Sequence, residues 1–179
     1  MKVHFVTHGC KANQYDTETF RQELEARGAQ AVDDPADADA AVVNTCTVTN
    51  NADRNARKAI RRLERDHPDL EIVVAGCSAA LHTDDYSAMS QVAGVVRGHD
   101  AVEVAGHIAP TRSPLERDEE PIGGELLDQN ERGTRGWMKI QDGCDRNCSF
   151  CATRLARGNS RSRDPDAIVA EAKQLARRH

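Results

Sequence analysis

The chain has 179 residues, a net charge of −5, and 39% hydrophobic against 30% charged side chains, which suits one ordinary domain, or one domain and part of a second. That balance excludes a collagen-like, mucin-like or disordered chain, and with aromatics at only 3% the core must be mostly aliphatic and alanine. No apolar run approaches the ~18 residues of a membrane span, and the start, MKVHFVTHGC, lacks the long apolar stretch of a secretory signal, so the reading is a soluble, cytoplasmic protein.

Over residues 1–108, short apolar runs alternate with helical patterns. Residues 3–6 form a β-type run ending at Gly9 and Cys10. Residues 16–27 have helical spacing, with Phe20 and Leu24 one turn apart and Gly28 as the stop. The run AAVVN at 40–44 ends just before Cys46, a helix covers 50–66, and Pro68 follows as a breaker. The run EIVVA at 71–75 ends at Gly76 and Cys77. Weaker signals place a short helix at 84–90, a strand at 94–97 and a helix at 101–107. The class is α/β, a mainly parallel sheet flanked by helices. In such sheets ligands gather beyond the carboxyl ends of the strands. Cys10, Cys46 and Cys77 each follow one such end. A single cysteine there is ordinarily a small buried hydrophobe; three at equivalent positions favour a shared metal site.

From 109 to 134 the pattern dissolves among Pro110, Pro114, Pro121 and the pair Gly123 and Gly124. This reads as a linker, with some extended structure near Ile122. A new unit begins at 135. The run WMKIQ at 137–141 predicts a strand leading into Gly143 and Cys144. Asp164 and Pro165 suit the N-cap and first residue of a last helix, striped by Ile168, Ala172, Leu175 and Ala176. One strand, one loop and one helix cannot close a barrel of about 200 or more residues, so 135–179 reads as the start of an incomplete domain.

Six cysteines in a chain without an export signal point to metal binding or catalysis rather than disulfides. Cys144, Cys148 and Cys151 are tightly bunched. Three thiolates on a short loop can hold three irons of a cubane [4Fe–4S] cluster and leave the fourth for a non-protein ligand. Structural zinc wants a fourth protein ligand, and the next histidine is His179. A ferredoxin wants a fourth cysteine. The spacing favours an open cluster over zinc.

The stretch CDRNCSFC at 144–151 resembles the signature of radical S-adenosylmethionine enzymes. The resemblance implies that S-adenosylmethionine chelates the free iron through its amino and carboxylate groups. An electron from the cluster then cleaves the sulfonium to a 5′-deoxyadenosyl radical. It also places Phe150 near the adenine, although ordinary packing suits that ring too. THGCKANQYDTE at 7–18, NTCTVTN at 44–50 and VAGC at 74–77 resemble the three cysteine blocks of the methylthiotransferase N-terminal domain. In that family Cys10, Cys46 and Cys77 would hold a second, auxiliary [4Fe–4S] cluster that supplies or holds the inserted sulfur. KIQDGC at 139–144 and ARGNSRSR at 156–163 continue the likeness.

TCTVT, KIQ and ARG-x-x-RSR are most similar to the threonylcarbamoyladenosine tRNA methylthiotransferase branch. That branch implies a transferase converting N6-threonylcarbamoyladenosine, beside the anticodon, to its 2-methylthio derivative, with a second S-adenosylmethionine giving the methyl group. The implied partners are the tRNA anticodon loop and an electron donor such as a flavodoxin or ferredoxin; the resemblance names no sulfur donor and no membrane. Two alternatives stay open: the branch acting on isopentenyladenosine tRNA or a ribosomal protein, and a non-catalytic iron–sulfur or zinc-binding remnant. Ala152, Thr153 and Arg154 stand where the family usually has an Ile-Ile-Pro-like stretch. The later radical-SAM strands and the small C-terminal RNA-binding domain are absent from the 179 residues, so the fragment is expected to be inactive alone.

On the helix at 50–66, Arg54, Arg57, Lys58, Arg61, Arg62 and Arg65 recur along one side. A solvated face is the favoured reading, with a phosphate-contacting strip for tRNA as its competitor. Arg157, Arg161 and Arg163 form a second basic stretch. His4, His8, His67, His82, His99 and His107 have no ligand spacing and read as ordinary surface or core residues.

Overall fold

The computed structural model describes residues 1–47, 50–111 and 136–177. Five strands, β1 (Lys2–Thr7), β2 (Gln30–Val32), β3 (Ala40–Thr45), β4 (Glu71–Gly76) and β5 (Val92–Val95), form one sheet. Every pairing is parallel and the order is β2-β1-β3-β4-β5. Thr7 lies opposite Asn44, and Thr45 opposite Gly76. The strands leading to the three dispersed cysteines therefore stop nearly level. The chain turns from one side of β1 to the other between β2 and β3, and such a switch point opens a crevice at the carboxyl ends of the strands.

Alternation along the central strands sets the two layers. Ala40 and Val42 of β3, with Val73 and Ala75 of β4, pack on one face with Phe20 and Leu24 of α1 (Lys11–Ala26) and Val104, Ala105 and Ile108 of α5 (Ala101–Ile108). Ala41, Val43, Ile72 and Val74 point the other way, toward Ile60 and Leu63 of α2 (Asn50–Asp66), Ala79 of α3 (Cys77–Leu81) and Tyr86 of α4 (Thr83–Ser87). Every residue of β3 is buried. That is why it reads as an unbroken apolar run rather than an alternation.

Several boundaries differ from the sequence expectation. α1 begins at Lys11, five residues before 16; its first turn is polar and its N-cap, Cys10, makes no side-chain cap, so neither an apolar stripe nor a capping signal announces it. The edge strand β2 and the five-residue helix α3 are too short to leave a pattern. β5 lies at Val92–Val95 instead of 94–97, and α4 ends at Ser87 instead of 90. The expectation near Ile122 lies outside the described residues.

The second unit departs most. Residues 137–140 pair with no strand among the described residues. Only β6 (Gln141–Asp142) pairs, antiparallel, with β7 (Arg161–Ser162). Lys139 instead turns inward to Asp16 on α1. Between these strands lies α6 (Thr153–Arg157), and α7 (Pro165–Ala176) follows. The Asp164 carboxylate caps α7, accepting from the N–H groups of Asp166 at 2.8 Å and Ala167 at 3.2 Å. In the expected apolar stripe Ile168 and Leu175 are half-buried and Ala176 is exposed; the fully buried residue of the helix is Glu171. Among the described residues no helix is long and apolar enough to cross a membrane.

Candidate metal centres

The first site is built around one side chain, Asn13, in the first turns of α1. Its amide nitrogen donates to the carbonyls of His8 at 2.9 Å and Thr45 at 2.8 Å. This ties the loop after β1 to the end of β3. Asn44 answers by donating to the Asn13 carbonyl at 2.9 Å and to the Thr17 hydroxyl at 3.1 Å. Thr45 links the next strand, donating to the Ala75 carbonyl at 2.6 Å and accepting from the Ala79 N–H at 3.0 Å. The remaining Asn13 oxygen faces two thiols, Cys10 Sγ at 3.8 Å and Cys77 Sγ at 3.9 Å. Cys46 comes in from β3 so close to Gly9 that a Cβ on the glycine would lie 2.4 Å from its Cβ and 2.5 Å from its Sγ. Gly9 also holds φ at +105°, which side-chain-bearing residues rarely adopt. On the far side, Asp53 of α2 accepts from Ser78, the residue after Cys77, and from the Tyr86 hydroxyl at 3.1 Å.

All six cysteines are free. Among the described residues no three His, Cys, Asp or Glu side chains are gathered tightly enough for one metal ion. Three thiols on separate strand ends fit a multi-iron group in which each iron takes one thiolate. Burial pushes the Cys77 thiol up to about 11, and the Arg157 guanidinium opposes this by charge and by a hydrogen bond. His99, read from sequence as ordinary, sits in the site. Its Nε2 lies 3.8 Å from Cys77 Sγ and 3.4 Å from the Asp16 carboxylate. Only the fold could reveal it, because it follows β5 and has no ligand spacing to Cys77.

Burial lowers the His99 imidazole to about 4, against the pull of Asp16. The native state therefore binds fewer protons than the unfolded chain between about pH 4 and the ordinary 6.5 of histidine. Stability must fall as pH drops through that window. At about 1.4 kcal/mol per unit the expected loss is on the order of 3 kcal/mol, read as the urea midpoint of the metal-free chain at pH 7 and pH 4.5. A His99→Gln variant is expected to flatten most of that slope.

The second site is the loop from Gly143 to Cys151. Gly143 adopts φ +73°, and a Cβ there would lie 2.1 Å from the Asn159 carbonyl oxygen, so the strand can turn into the loop only with glycine. The Cys144 N–H donates to the Gly158 carbonyl at 3.1 Å, and the Cys151 N–H closes a turn onto the Cys148 carbonyl at 3.2 Å. Cys148 is exposed and Cys144 and Cys151 are partly so. Phe150 is 91% exposed. Thr153, which stands at the departure from the family pattern, lowers the Cys151 thiol through its side-chain hydrogen bond, and backbone N–H groups add to this.

Buried charges join the two sites. Asp16 contacts Lys139 and receives Arg157 at 2.7 Å; Asp142 receives Arg157 at 2.8 Å and Lys139 at 3.3 Å. Burial opposes the Asp142 charge, but Lys139 and Arg157 hold its carboxyl down at about 2. Arg163 contacts Glu171 and donates to the Tyr15 hydroxyl at 3.0 Å and the Lys139 carbonyl at 3.1 Å. The basic stretch at 157–163 is thus largely inside: Arg157 and Arg163 are buried and only Arg161 is exposed. The helical stripe is also revised. Arg57 turns inward to Asp53 and Asp85, each at 3.1 Å, whereas Arg54, Lys58, Arg61, Arg62 and Arg65 are exposed. Arg62 and Arg65 pair with Asp66.

The α/β sheet and the unit that follows it each match a known family in sequence comparison. Residues 2–98 match the model described as Uncharacterized protein family UPF0004, and the chain belongs to that family. Residues 138–179 match the radical SAM superfamily, whose chemistry rests on S-adenosylmethionine and iron–sulfur clusters. The chain is 39% identical to the threonylcarbamoyladenosine tRNA methylthiotransferase MtaB of Bacillus subtilis (strain 168), over 97% of its own length and 40% of the relative's. It is 34% identical to the protein of that name in Aquifex aeolicus (strain VF5), over 99% and 45%. It is 30% identical to the tRNA-2-methylthio-N(6)-dimethylallyladenosine synthase of Staphylococcus aureus (strain JH9), over 96% and 36%. The chain spans about two fifths of the length of these relatives. By name the first two are tRNA methylthiotransferases and the third is a synthase of a methylthiolated adenosine of tRNA.

Proposed function

We propose that this chain is the N-terminal part of a tRNA methylthiotransferase acting on N6-threonylcarbamoyladenosine beside the anticodon. The observation that carries this reading is the pair of cysteine triads joined by one buried network of charges. In this reading Cys10, Cys46 and Cys77 hold one [4Fe–4S] cluster, and Cys144, Cys148 and Cys151 hold another with one iron open to S-adenosylmethionine. When bound, the second cluster supplies the electron that opens S-adenosylmethionine. Asn13 spaces Cys10 and Cys77, Gly9 admits Cys46, and Phe150 is assigned a position near the adenine by the family resemblance alone. Threonylcarbamoyladenosine is preferred over dimethylallyladenosine as substrate because identity over nearly the same span is higher, 39% and 34% against 30%. A flavodoxin or ferredoxin is the proposed electron donor.

Iron counting tests the cluster assignment. Anaerobic reconstitution with iron and sulfide is expected to give about eight irons per chain, four for each filled triad. Replacing Cys144, Cys148 and Cys151 together by alanine is expected to remove about half of them. Unchanged iron in that triple variant, or tightly bound zinc instead, would contradict the assignment. The substrate is tested by mass spectrometry of tRNA nucleosides from a strain lacking the gene. The methylthiolated threonylcarbamoyl nucleoside should disappear, and its persistence without a second copy of the gene would sink the substrate reading.

A further inference from the structure

Arg157 belongs to the second cysteine site by sequence but ends at the first. It closes α6, the helix directly after the cysteine loop, and the Cys144 N–H bonds to the carbonyl of the next residue, Gly158. α6 packs against α3, the helix that begins at Cys77. The guanidinium reaches across this contact and donates to Asn13 Oδ1 at 2.8 Å, the oxygen already facing Cys10 and Cys77. Asp16 and Asp142 fix it from either side at 2.7 Å and 2.8 Å. Around it two cations, Lys139 and Arg157, balance two carboxylates, Asp16 and Asp142. Of these four, Arg157 alone donates to the oxygen that both thiols share. Removing it would leave an uncompensated negative charge beside the thiolates in a water-poor setting, where a unit charge acts strongly.

We propose that Arg157 is a positioning residue contributed by the second cysteine site to the first: its fixed charge, aimed by Asp16 and Asp142, stabilises the reduced, more negative form of the cluster held by Cys10, Cys46 and Cys77. This rests on the two-cluster reading above. It adds that the first site is electrically incomplete without residues 139–163.

The test uses the 179-residue chain with Cys144, Cys148 and Cys151 replaced by alanine, so that one cluster alone is observed. After anaerobic reconstitution, the one-electron midpoint is measured by dithionite titration and electron paramagnetic resonance. Arg157→Gln is expected to shift the reduction equilibrium at least tenfold toward the oxidised form, about 59 mV more negative. Arg157→Lys, which keeps the charge, is expected to restore most of that shift. Loss of iron from Arg157→Gln but not from Arg157→Lys would also support the proposal. An unchanged midpoint in Arg157→Gln, or equal loss of iron from both variants, overturns it while leaving the cluster assignment intact. A parent triple variant that takes up no iron overturns both.

Discussion

Replacing Asp16 by alanine is expected to destabilise the metal-free chain by about 3–5 kcal/mol, the scale for breaking a buried ion pair from one side. Asp16 is 2% exposed and contacts three partners from other elements: Lys139, Arg157 and His99. The variant leaves two buried cations facing one carboxylate, Asp142. Removing Asp66, whose partners Arg62 and Arg65 are exposed, is the matched control and should leave the urea midpoint nearly unchanged, because solvent screens such pairs. A loss below about 1 kcal/mol for Asp16→Ala would mean that the network contributes little to holding the two units together.

The 179-residue chain alone, reduced with dithionite and given S-adenosylmethionine and threonylcarbamoylated tRNA, is expected to yield no methylthiolated nucleoside above a Cys148→Ala control. The reason lies in exposure. Cys148 is open, and Phe150, Leu155 and Ile140 are 91%, 74% and 55% exposed. A reactive species formed there would meet water before substrate, and exclusion of water is what such chemistry needs. Detection of the modified nucleoside above the control would show that these residues suffice and that the open loop is no obstacle.

The parallel sheet was legible because β1, β3 and β4 are apolar runs of ordinary length, each ended by glycine or a polar turn. Topology then placed Cys10, Cys46 and Cys77 together without any knowledge of side chains. The start of α1 was not legible. Residues 11–16 carry Asn13, Tyr15 and Asp16, polar groups buried for contact with distant partners, and periodicity arguments count buried polar residues as surface. The same blindness left Arg157 and Arg163 as no more than a basic stretch, passed over Glu171, and made His99 read as ordinary. The expected strand at 137–141, in which only the last residue, Gln141, is paired among the described residues, fails for a related cause. Its hydrophobic character is real, but Lys139 is committed to Asp16, and strand formation needs a neighbour that the described residues do not provide.

The span of the network also sets an order of events during synthesis. Asp16 and Arg157 are separated by 141 positions. At roughly 5–20 residues per second, a ribosome takes about 7–28 seconds to travel between them. Strands β1 to β5 emerge within that interval and bury both faces of their sheet. Through it, Asn13 and the three cysteines stand uncovered at the carboxyl ends of β1, β3 and β4. Arrival of α6 then covers Cys77 with its guanidinium. If Cys10, Cys46 and Cys77 take up a cluster as proposed, the interval before Arg157 emerges would be when iron and sulfide meet least obstruction, and a chain stalled or cut before α6 would keep that entrance open.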